Sequence, residues 1–138
     1  MRAPTRRPPA ILVSCDDVNL CRTLALMLEH AGYAVTIDEE PSERRAYPES
    51  GAYDLIVIDI VGSALEGYEK LSRLQGCCPG VLVLVLAGQN LAGLETELQQ
   101  RGASVVVFKP TDPELLLARV AALLTDEGVL SPGAAPQA

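Results

Sequence analysis

The chain has no Trp, a single Phe and four Tyr, so any core must be built from Val, Leu, Ile and Ala. No apolar run reaches the roughly 20 residues that a membrane span needs. The opening MRAPTRRPPA carries three Arg and three Pro but no apolar stretch of the kind a signal peptide requires. There is one His, His30, and no CxxC pair among Cys15, Cys21, Cys77 and Cys78, which argues against a zinc site. Those thiols read as reduced, partly buried groups of a cytoplasmic protein. No GxGxxG and no GxxxxGK[ST] occurs, so dinucleotide and P-loop chemistry lack their phosphate cradles. The same shortage of aromatics argues against a flavin site. A net charge of −7 argues against binding along a phosphate backbone, which needs clustered Lys and Arg.

What is present is an alternation. Apolar runs of strand length stand at Ala10–Cys15, Ala34–Ile37, Leu55–Asp59, Val81–Ala87 and Val105–Phe108. Between them the spacing becomes helical. Val18 to Ala31 places Leu20, Leu24, Met27, Leu28 and Ala31 on one face, with Gly32 as a left-handed stop. Leu65, Tyr68, Leu71 and Leu74 repeat the pattern. Leu91, Leu94 and Leu98 predict a third helix reaching Arg101, which Gly102 ends. A last helix opens at Thr111 or Asp112, with Pro113 in its first turn, and runs through Leu123. A short helix is expected between Pro41 and Ser50. Five strand–helix repeats predict an α/β fold, a parallel sheet with helices on both faces. Strands such as LIVI and VLVLVL are apolar on both sides, as central parallel strands are. The domain is expected over residues 10–124. Residues 1–9 read as a flexible leader, and 125–138 as a flexible tail or linker.

In such sheets chemistry collects at the carboxyl ends of the strands. Asp16 and Asp17 follow the first run, Asp59 ends the third, and Lys109-Pro110 follows the fifth. Any one of these has an ordinary explanation: Asp17 as the N-cap of the next helix, Lys109 as a surface lysine. Together they place three carboxylates and one ammonium on one edge. Like charges held that close repel. Lys109 and a bound Mg2+ would balance them, and Mg2+ favours such oxygen ligands. A carboxylate beside such a cation can attack a phosphoryl group and form an acyl phosphate.

Three segments, ILVSCDDVNLCRTLALMLEHAGY, YDLIVIDIVGSALEGYEKLSRL and RGASVVVFKPTDPELLLARVAALL, resemble the receiver domain of two-component response regulators over roughly residues 10–124. The resemblance implies a flavodoxin-like, CheY-like, doubly wound five-stranded sheet in the order 2-1-3-4-5. It implies Asp59 as phosphoacceptor and Mg2+ held by Asp16, Asp17, Asp59 and the backbone carbonyl of Val61. It also implies Lys109 on the phosphoryl group, a cis peptide at Pro110, and Gly67 as the family's loop glycine. Such a domain is not an enzyme beyond its own phosphotransfer and dephosphorylation. Its partners would be a sensor histidine kinase or phosphotransfer protein, and a downstream protein or an output domain. Homodimerisation stays open.

The chain also departs from that pattern. Leu86 stands where the family places a Thr or Ser at the end of the fourth strand. Val106 stands where it places a Tyr or Phe, and Gly62-Ser63 where a Pro is usual. This predicts an atypical receiver with its usual relay lost, and an apolar patch that pairs Leu86 with Val106. The competing expectation is a pseudo-receiver that binds partners independently of phosphorylation.

Overall fold

The computed structural model describes residues 8–15, 17–38 and 52–125. The chain runs β1 (Ala10–Ser14), α1 (Val18–His30), β2 (Ala34–Asp38), β3 (Leu55–Ile60), α2 (Ala64–Cys77) and β4 (Leu82–Ala87). A 3-10 helix (Gln89–Leu94), α3 (Glu95–Gln100), β5 (Val105–Phe108) and α4 (Pro113–Leu124) complete it. The five strands are all parallel, in the order β2-β1-β3-β4-β5. The expected fold class is therefore the observed one. The expected helix between Pro41 and Ser50, residues 1–7 of the leader and the tail beyond Thr125 lie outside the described residues.

Side-chain alternation along each strand divides the core in two. Leu12, Ile56, Ile58, Ile60, Val83, Val85 and Val106 pack under Leu71 and Leu74 of α2 and Leu98 of α3. On the opposite face Ile11, Val13, Leu55, Val57, Leu84, Leu86 and Val107 meet Leu24 and Leu28 of α1 and Leu116 and Val120 of α4. All six residues of β3 are buried. Burial on both faces requires an unbroken apolar strand, and Asp59 is the sole interruption.

The helix ends follow local chemistry. Asp17 caps α1 by accepting from the backbone N–H groups of Asn19 and Leu20, and Asp112 caps α4 by accepting from Glu114. Gly32 and Gly102 sit at φ of 104° and 127°, conformations that side chains with a Cβ resist.

Two expectations for the helices need correction. The segment predicted as one helix over Leu91 to Arg101 divides into the 3-10 helix and α3. Gly93 weakens an α-helix there, no side chain caps it, and the three-residue step from Leu91 to Leu94 suits the 3-10 period. The stripe predicted for α2 is also rotated. Its buried residues are Gly67, Lys70, Leu71 and Leu74, while Leu65 is exposed. Gly67 is thus a helix glycine, not a loop glycine: a Cβ there would collide with the buried side chain of Ile60.

Candidate functional site

Asp59 is the fifth residue of β3, and its side chain is only 1% exposed although it is a carboxylate. Isolated burial of that charge would be costly. The compensation comes from two strands away: Lys109 Nζ donates to Asp59 Oδ1 at 2.7 Å. Lys109 is placed for this by its own backbone. Its N–H donates to the Ala87 carbonyl at 2.8 Å, and its carbonyl accepts from Gln89 Nε2 at 2.8 Å. The Lys109–Pro110 peptide is cis, as the resemblance implied.

Asp17 keeps the capping role noted above, through Oδ1 alone. The second oxygen of Asp17 and that of Asp59 accept no hydrogen bond from the described residues. Asp16 lies outside the described residues. Val61 follows β3 directly and is exposed. Among the described residues no three metal-ligating side chains are gathered. The donors that are available, two hard carboxylate oxygens at the strand ends, fit Mg2+ better than a softer ion.

A second lysine stands at the site, and sequence reasoning missed it. Lys70 of α2 is 2% exposed, and its Nζ donates to the backbone carbonyl of Asp59 at 3.1 Å. Glu66, one turn earlier, lies 3.7 Å from the same ammonium. The signal was available, because Gly67, Lys70, Leu71 and Leu74 have the i, i+3, i+4, i+7 spacing of a buried face. Leu65 and Tyr68 offered a rival stripe that drew the reading away.

Cys15, Cys21 and Cys78 are buried and Cys77 is exposed; none is bridged. Cys21 Sγ lies 2.9 Å from Cys15 Sγ. Burial first, then Cys21 and the negative charge of Asp59, push the Cys15 thiol well above its ordinary range, while Lys70 pulls it back.

The expected pairing of Leu86 with Val106 is not found. Both are buried, and they point to opposite faces of the sheet. Leu86 is the register partner of Asp59 and packs on the α1/α4 side. The residue that ends β4 on the same side as Val106 is Ala87. No exposed apolar patch forms from this pair, because neighbouring residues of one strand alternate in direction. Ser63 caps α2, its Oγ accepting from Glu66 N–H at 3.4 Å.

This geometry agrees with what the chain resembles. The family model "Response regulator receiver domain" matches residues 11–121. The "Uncharacterized transcriptional regulatory protein YkoG" of Bacillus subtilis is 33% identical over 118 residues, covering 86% of this chain and 52% of that protein. The response regulator ArlR of Staphylococcus saprophyticus is 33% identical over 120 residues, covering 83% of this chain and 51% of that protein. The chain thus spans about half the length of these relatives. Among solved structures, a CheY-like receiver domain protein from Methanospirillum hungatei superposes with a TM-score of 0.72 at 26% identity, over 85% of this chain and 94% of that one. The non-phosphorylated HemR receiver domain from Leptospira biflexa gives 0.71 at 24% identity, over 90% and 98%. With strand order, buried aspartate and lysine partner all in place, the chain belongs to the response regulator receiver domain family.

Proposed function

We propose that Asp59 accepts a phosphoryl group from a sensor histidine kinase or phosphotransfer protein. The observation that carries this reading is the 2.7 Å contact between Lys109 Nζ and the carboxylate of Asp59. It leaves the other carboxylate oxygen without a donor among the described residues. That oxygen attacks the phosphorus, the bond from phosphorus to the donor breaks, and the donor departs with the electron pair. Lys109 then donates to the phosphoryl oxygens and offsets their added charge. Water later attacks the phosphorus and returns the free carboxylate and inorganic phosphate. Asp16, Asp17, Asp59 and the carbonyl of Val61 would hold Mg2+, which when bound screens the charge between acceptor and phosphoryl group.

The output end is where the chain diverges. Neither Leu86 nor Ala87 carries a hydroxyl, and Val106 carries no ring, so the usual coupling of phosphoryl group to strand end and aromatic has no parts here. We place the missing hydroxyl at Ala87, the residue that shares a face with Val106. This observation also favours a second reading, a pseudo-receiver whose partner binding is independent of phosphorylation. Because the chain spans half of its relatives, an output domain or a separate downstream protein would complete the signal.

Incubation with Mg2+ and acetyl phosphate, followed by intact mass, tests the first reading. The native chain gains one phosphate and Asp59→Asn gains none. A native chain that stays unmodified with both the small donor and a phosphorylated kinase supports the second reading. So does a partner affinity that modification leaves unchanged.

A further inference from the structure

A lysine with 2% exposure beside an acidic site is an expensive choice, since burying an ammonium costs far more than burying an apolar side chain. Its ammonium is held 3.1 Å from the carbonyl of the residue that bears the acceptor carboxylate. The sheet face toward α2 is polar here: the Ser14 hydroxyl is fully buried and finds no hydrogen-bond partner among the described residues.

Charge decides what this lysine does. Among the described residues Asp17 and Asp59 bring two negative charges to this edge, and Lys109 offsets one. Lys70 offsets a second. Glu66 counters Lys70 from 3.7 Å, but its side chain is 36% exposed, where water screens it, and Lys70 is not so screened. A fixed cation in poorly hydrated surroundings repels a divalent ion nearby far more than a surface lysine does.

We propose that Lys70 is a second, built-in cation of the acidic site, one that ties down the end of β3 through the Asp59 carbonyl and lowers the site's affinity for a divalent cation. The proposal rests on reading this edge as a Mg2+ and phosphoryl site. Lys70 touches the backbone of the acceptor and acts through it, so it is a positioning residue.

The test is calorimetric titration of MgCl2 into the native chain, Lys70→Met and Lys70→Gln. Met matches the apolar length of Lys, and Gln keeps an uncharged N–H donor one bond shorter than the ammonium. A dispersed 15N–1H spectrum shows that each variant is folded, and should one fail to fold, the other is read alone. The expected result is Mg2+ binding about tenfold tighter, or more, in the uncharged variants. A merely structural lysine would leave affinity unchanged or weaken it on removal, and either result overturns the proposal. If the native chain binds Mg2+ with an affinity indifferent to residue 70, only this inference falls. If no form binds Mg2+, the metal-site reading falls with it, whatever acetyl phosphate does to Asp59.

Discussion

Asp17 carries two duties that substitution can separate. Its Oδ1 caps α1, and the proposed metal role needs the charge. Asparagine is as good a cap as aspartate, so Asp17→Asn should keep the stability of the metal-free chain. Asp17→Ala should lose about 1 kcal/mol in denaturant unfolding. Both should lose Mg2+ affinity by calorimetry. A metal-free loss of equal size in the two variants would assign the stabilisation to charge instead of capping. Asp59 and Lys109 were legible in the sequence because each interrupts or follows a strand-length apolar run at the edge where ligands bind. Lys70 was not, because a lysine among helical residues reads as a solvated side chain until its carbonyl partner is known. Leu86 illustrates a finer failure. Its place in the fourth strand was right, but a shift of one residue changes the face, and that face was visible only in the strand register.

At the scale of elements, the sheet was read nearly whole. All five strands were found with ends within one residue, because parallel central strands declare themselves as unbroken apolar runs. The helices were harder. A stripe of Leu65, Tyr68, Leu71 and Leu74 looked sound, yet α2 turns Gly67 and Lys70 inward and leaves Leu65 in solvent. Contact with Ile60 explains the choice of Gly67, since only a residue without a side chain lets α2 come this close to β3. Gly67→Ala should therefore destabilise the chain by about 1–3 kcal/mol in denaturant unfolding. Adding Ile60→Val, which removes the colliding methyl, should return part of that loss. A Gly67→Ala chain at least as stable as the native one would show that α2 packs more loosely than described. The division of the predicted third helix has a similar lesson: Leu91, Leu94 and Leu98 fix which residues face the core, but Gly93 decides which helix carries them.

Across the described residues, the two apolar layers on one parallel sheet enclose three buried polar or charged side chains, Ser14, Asp59 and Lys70, near the strand ends. The thiols report on the same layering. Three of the four are buried, so native-state alkylation followed by intact mass should show one rapid modification, at Cys77, and four only after unfolding. Rapid labelling of Cys15 or Cys21 would mean that the α1 side of the core opens readily. On the proposed reading, the absence of a hydroxyl at Leu86 and Ala87, and of a ring at Val106, would divide receiving a signal from passing it on. The receiving half makes the sharper claim. Borohydride converts an aspartyl phosphate to homoserine, so reduction of the acetyl-phosphate-treated chain and peptide mapping reads the modified position directly. Homoserine at position 59, and at no other aspartate, is the predicted result. Homoserine elsewhere, or none after treatment with a phosphorylated kinase as well, would contradict Asp59 as the acceptor.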